Sequence, residues 1–166
     1  MKIHNGRYTA DFDGDVVVFL IGMRVNKPWK FWQWMRVGRQ MSQMQRQLRE
    51  NPDLGCLGIE NFGGRTTLSV QYWRSFEDLD RYSRDPDLAH LQPWRAFNNK
   101  IRDSGDLGIW HETYRVSAGA YEAIYGNMNR FGLAAATAHC KVGERGQTAA
   151  RRIGASETDS PTVASY

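Results

Sequence analysis

Cysteine is scarce. The 166-residue chain has two, Cys56 and Cys140, too few for a disulfide framework and too far apart for a CxxC metal knuckle. Long apolar runs are missing too. The longest, Val16–Gly22, has seven residues where a membrane-crossing helix needs about 20. Charge of one sign is not concentrated. The 22 basic and 18 acidic residues leave a net charge of +4 and are interleaved along the first helix, the middle and the tail. No basic stripe carries stacking aromatics, which argues against a nucleic-acid partner. The glycines between Gly55 and Gly64 match no phosphate-cradling or dinucleotide motif and open no helix. The start, MKIHNGRYTADFDGD, is polar and acidic, unlike a signal peptide. These absences predict a cytoplasmic protein with no membrane partner.

What the chain does hold is aromatic side chains: six Trp, seven Tyr and seven Phe. That stock serves a thick core, a subunit interface or a pocket for a flat ligand. The length and the 41% apolar content fit one globular domain, expected over residues 1–153, with residues 154–166 a flexible tail by composition.

Read in order, residues 1–14 are a polar lead-in. VVVFLIGMR (16–24) is a β-branched run suited to a buried strand. Asn26-Lys27-Pro28 breaks it, with Pro28 suited to a first helical turn. A helix follows over Lys30–Glu50, with Trp29, Trp32, Met35, Met41, Met44 and Leu48 on roughly one face. Cys56–Phe62 and Thr66–Trp73 read as a hairpin turned at Gly63-Gly64, with Leu68, Val70 and Tyr72 on one face of the second strand. Ser75 is a good N-cap, with Asp78 at the third position of a helix over Phe76–Arg84. A second helical piece, with Pro93, Trp94, Phe97 and Ile101, runs to about Asp103. Gly108–Val116 alternates as a strand, with Ile109, His111 and Thr113 on one face. A fifth strand is expected over Ala120–Tyr125. The order is βαββαβ plus one strand, an α+β, ferredoxin-like unit. One sheet face is covered by its helices; the other needs cover, and a second subunit would provide it as a dimeric α/β barrel. The expected assembly is a homodimer.

The block VQYWRSFEDLDRYSRDPDLAHLQPWRAF, followed by GIWHETYRV and AYEAIYGNM, resembles the family of small uncharacterised proteins described as monooxygenase-like dimeric α/β barrels. The likeness extends to FLIGMRVNK and covers most of the chain. The same block is similar, more distantly, to the carboxy-terminal half of the haem-dependent aldoxime dehydratases. In those enzymes a strand ending in Trp-Arg-Ser leads to a helix, a segment carrying the haem-iron ligand, and a strand carrying the distal acid–base histidine. Tyr72-Trp73-Arg74-Ser75 matches the first element, the segment ending at His90 the second, and Trp110-His111-Glu112 the third. The two histidines are 21 residues apart, the family's own separation.

That resemblance implies haem b, with its iron held by His90 and with Trp73 and Trp94 beside it. His111 would be the distal proton donor or acceptor, since imidazole exchanges protons near neutral pH. Arg74 would bind a propionate or substrate anion and, with Ser75, complete the catalytic set. Arg130, Arg145 and Arg151 are further candidates for the propionates. Trp29, Trp32, Met35 and Leu68 are candidate walls for a small organic substrate. Two departures stand against dehydratase activity. The loop after the first strand, Arg24–Trp29, lacks the family's serine, and the fused unit that supplies its distal arginine is absent from a chain about half as long. The readings are therefore a haem-dependent monooxygenase- or peroxidase-like oxidoreductase, an aldoxime dehydratase-like lyase, a cofactor-free monooxygenase, or a non-enzymatic haem-binding module.

Overall fold

The computed structural model describes residues 2–85 and 104–161. The expected helical piece up to Asp103, with His90 and Trp94, lies outside the described residues.

A four-stranded antiparallel sheet forms the centre. Its strands are β2 (Val16–Val25), β3 (Cys56–Phe62), β4 (Leu68–Trp73) and β5 (Leu107–Val116), in the order β3-β4-β2-β5. Helix α1 (Phe31–Glu50) connects β2 to β3, and α2 (Phe76–Arg84) follows β4. This is the ferredoxin-like strand order, and the α+β reading holds. Among the described residues the sheet is open, and no barrel closes. β2 sits between β4 and β5, and its apolar run meets cover on both faces, Val17 in one core part and Val16 in the other.

Close approach fixes one position on β2. A Cβ on Gly22 would lie 1.9 Å from the Thr67 carbonyl oxygen and 2.8 Å from Trp110 Nε1, so only glycine lets the β3–β4 hairpin fold back against β2. Two bonds made there hold the hairpin: Thr67 N–H donates to the Met23 carbonyl at 2.8 Å, and Met23 N–H donates to Thr67 Oγ1 at 3.0 Å.

α2 begins where the sequence places it. Ser75 is extended and its Oγ accepts from Asp78 N–H at 3.1 Å. At the start of α1, Lys30 caps without a side-chain bond, and Pro28 lies in the preceding turn rather than in the helix. There Lys27 Nζ and Lys30 Nζ each meet a carboxylate oxygen of buried Asp106 at 2.6 Å. The loop after β2 is thereby tied to the residue preceding β5.

Two expectations are corrected. The polar lead-in is not a lead-in: His4–Ala10 forms β1. The fifth strand lies at Tyr125–Met128 (β6) rather than Ala120–Tyr125, and it does not extend the central sheet. β1 is flanked by β6 and by β7 (His139–Lys141) in a separate three-stranded sheet, order β6-β1-β7. Between β6 and β7 lies α3 (Gly132–Ala136); α4 (Val142–Arg145) and α5 (Ala149–Arg152) follow. Tyr121 is used in another way, its hydroxyl donating to the Phe12 carbonyl at 2.8 Å.

The core has two parts. Val17, Leu48, Trp73, Leu79 and Tyr82 pack between the central sheet and its helices. Ala10, Val16, Leu133 and Ala134, with Tyr72, Val116 and Tyr125 against them, join the second sheet and α3 to the outer face of the first. The chain itself thus covers one end of the face that was expected to await a second subunit. Beyond α5, Asp159 accepts from Gln147 N–H at 2.9 Å and Thr148 N–H at 2.8 Å.

Candidate active-site cavity

A cavity of about 670 Å³ opens between the helices and the central sheet. Strand alternation turns Phe19, Ile21 and Met23 of β2 into it, together with Ser69, Gln71 and Trp73 of β4 and Ile109, His111 and Thr113 of β5. From α1 come Val37, Met41, Met44, Gln45 and Leu48; from α2, Phe76, Leu79, Asp80 and Tyr82.

The surroundings are apolar, with a polar seam whose members mostly satisfy one another. Gln45 and Asn61 exchange amide hydrogen bonds at 2.8 Å each way, and Gln45 also donates to Ser69 Oγ at 3.1 Å. Trp73 is fully buried, donates its indole N–H to Gln71 Oε1 at 3.0 Å, and meets Tyr82 at 5.5 Å between ring centres. Burial pushes the Tyr82 phenol up to about 12 and the Cys56 thiol up to about 11, so neither ionises near neutrality. Among the described lining residues the one carboxylate is Asp80, and none is Lys or Arg. Asp80 pairs with Arg84 at 2.8 Å.

His111 stands on the wall with its ring 5.7 Å from that of Phe19, and its side chain reaches solvent. It is the predicted residue best placed for chemistry. Trp73 also lines the cavity, at its buried end. Leu68 contributes at the margin; the alternating face that turns inward is Ser69-Gln71-Trp73, not Leu68-Val70-Tyr72. Trp29 and Trp32 are each 72% exposed and lie outside the lining. Trp32 and Met35 border a shallow depression with Arg36 and Arg39. The α1 walls come from its middle and end, Met41, Met44 and Leu48, which the sequence placed on the same apolar face. Gln45 and Gln71 were missed because buried amides carry no apolar signal.

Arg74 and Ser75 serve the head of α2. Arg74 Nε donates to Asp78 at 2.7 Å, and its guanidinium also reaches the Asp53 carbonyl at 3.4 Å. Arg74, Arg81 and the Ser75 hydroxyl together hold the Asp78 carboxyl below the usual carboxylate range. Arg130 donates to the Ala134 and Thr137 carbonyls, Arg145 pairs with Asp11 and Asp13, and Arg151 with Glu157. None of these arginines lines the cavity. Among the described residues no group of three or more His, Cys, Asp or Glu is placed to hold a metal, and no helix is long and apolar enough to cross a membrane.

The family model described as Monooxygenase af470-like matches residues 16–133, from the first residue of β2 into α3. The chain belongs to this family. It thus spans the central sheet, α1 and α2 of the Monooxygenase af470-like unit, while β1 and β7 lie outside the matched region. The chain is similar to Monooxygenase af470 of Aspergillus fumigatus, at 31% identity over 125 residues, covering 70% of this chain and 44% of that protein. It therefore spans less than half the length of that curated relative. No solved structure matches. The monooxygenase-like resemblance is borne out; the likeness to aldoxime dehydratases rests on the sequence blocks alone.

Proposed function

We propose that the protein is a monooxygenase that oxidises a small, uncharged, apolar organic molecule in the cavity between the sheet, α1 and α2, with His111 moving the proton. The observation that carries this reading is the place of His111 on the wall of a largely apolar cavity in a chain of a monooxygenase-like family. The volume suits a drug-sized molecule. The lining suits a neutral one, since a buried carboxylate or phosphate would find no described counter-charge. The relative from Aspergillus fumigatus is the longer protein, and this chain covers 44% of it.

His111 would take a proton from an acidic C–H or O–H of the substrate. The electron-rich anion left in apolar surroundings would pass its electrons to dioxygen. For an activated methylene the balance is one methylene and one dioxygen giving one carbonyl and one water. Two C–H bonds and the O–O bond break; a C=O bond and two O–H bonds form. One oxygen atom enters the substrate, the other leaves as water, and the substrate supplies all the electrons. Phe19, Met41 and Met44 would hold the molecule and exclude water from the anion.

A second reading keeps haem b, with His90 on the iron and His111 distal. It is favoured by the histidine spacing and by the wall position of His111. The described residues do not meet the needs of a haem's two propionates: no Lys or Arg lines the cavity, and Arg74 is engaged by Asp78. Dehydration of an aldoxime belongs with this reading. The assembly we propose is a homodimer covering the rest of the sheet's outer face, where Val18, Leu20 and Val70 are half-buried and Tyr114 is exposed.

The deciding experiment is an absorption spectrum of protein purified with haem supplied, beside oxygen uptake with activated aromatic methylene compounds. Turnover without a Soret band, lowered about 10²–10⁴-fold in His111→Ala, supports the first reading. A Soret band lost in His90→Ala and kept in His111→Ala replaces it with the second. Light scattering reads the dimer.

A further inference from the structure

Two of the four histidines meet outside the cavity lining, on the second sheet and outside the residues the family model matches. His4 lies on β1 and His139 on β7, with ring centroids 4.7 Å apart and planes at 78°. A bulge in β1 between His4 and Arg7, with Gly6 at φ 92°, lets the strand turn there. Tyr8 completes the cluster, stacked on His139 at 4.5 Å and edge-on to His4 at 5.4 Å. Both histidines are half-buried.

The geometry can be compared with that of two imidazoles on one ion. Zinc–nitrogen bonds are about 2.0–2.1 Å, and the ring centre lies about 1.1 Å beyond the nitrogen. Each centroid is then about 3.2 Å from the metal. At ligand angles from about 90° to 109°, the centroids are about 4.5–5.2 Å apart. The observed 4.7 Å falls in that window. Met128 is the cross-strand partner of His4, so its thioether leaves the same face of the sheet.

We propose that His4 and His139 chelate one divalent transition cation, Cu2+ in preference to Zn2+, with water filling the remaining positions. Imidazole suits both ions, and copper stands highest in the general affinity order. The site clamps β1 to β7. Arg130, close enough to act on His139, opposes any cation there, which makes the affinity moderate rather than tight.

The test is calorimetric titration of tag-free protein with CuCl2 and with ZnCl2 at pH 7.5, and electron paramagnetic resonance of the copper form. The expected result is one equivalent of Cu2+ bound more tightly than Zn2+, two nitrogen ligands in the spectrum, and a rise in Tm with copper. Affinity falls at least about tenfold in His4→Gln and in His139→Gln, and the double variant is weaker than either single one. Metal-free melting of each variant checks that the second sheet persists. If the variant melts as the wild type does and copper affinity is unchanged, or if the wild type binds no equivalent below millimolar copper, the proposal fails.

Discussion

The imidazole of His111 and the ring of Phe19 lie 5.7 Å apart on neighbouring strands, diagonal in the register that pairs His111 with Ile21 and Phe19 with Thr113. The strand alternation that turns Phe19 to the cavity turns His111 there too. His111 is exposed on β5, so its loss should cost little stability. His111→Ala is expected to leave unfolding within about 0.5 kcal/mol of the wild type while abolishing most oxygen uptake. Denaturation in urea beside an oxygen electrode separates the two effects.

Ser75 caps α2 through Asp78 N–H at 3.1 Å. Ser75→Ala should lower stability by about 1 kcal/mol and Tm by about 2–4 °C, with the affinity for apolar ligands unchanged. A loss of turnover larger than the loss of folded protein would restore Ser75 to a catalytic role.

Met44 reaches the cavity from α1 and is half-buried. Met44→Trp should fill that space. Binding of an apolar fluorescent probe is expected to weaken at least about tenfold, a loss of about 1.4 kcal/mol, with far-ultraviolet circular dichroism unchanged. Unaltered probe binding would place the ligand elsewhere.

Gly22 has no room for a methyl group beside the Thr67 carbonyl. The obstacle is backbone, so relaxation has to move the hairpin. Gly22→Ala should destabilise by about 1–3 kcal/mol or more, read from the urea midpoint. Gly63→Ala, where a Cβ meets nothing within 4 Å, is the contrasting control.

Asp106 is held by Lys27 and Lys30, which keep its carboxyl well below the ordinary carboxylate range. The unfolded chain binds that proton at a pH of about 3.9. The stabilisation is therefore complete above that value and is lost as pH falls through the folded one. Asp106→Asn should lower Tm at pH 7, and the gap from wild type should narrow toward strongly acid pH. Melting curves across the acid range check the sign.

The central unit was legible because its signals are local. VVVFLIGMR fits a central strand, and Ser75 with Asp78 marks a helix start wherever it occurs. The second sheet was not. β1 reads HNGRYTA, with little apolar content, and becomes a strand through pairing with residues far along the chain, His4 with Met128 and Tyr8 with Tyr125. The inward face of β4 went unmarked for a related reason: Ser69 and Gln71 are buried because Gln45 and Trp73 satisfy them, a partnership no periodicity records. The exposure of Trp29 and Trp32 had no signal either, since both continue the apolar face of α1 beyond the part that meets the sheet.

The sheet that unites residues 4–10 with residues 125–141 imposes an order on synthesis. β1 is made well before either of its partners, β6 and β7. β2–β5 and the two longer helices can settle among themselves before residue 125 leaves the ribosome, while the first strand still lacks both neighbours. It is then a free edge, open to pairing with another chain. Polar HNGRYTA, broken by a bulge at Gly6, is a sequence that tolerates that wait, and an apolar strand in its place would invite nascent chains to join each other.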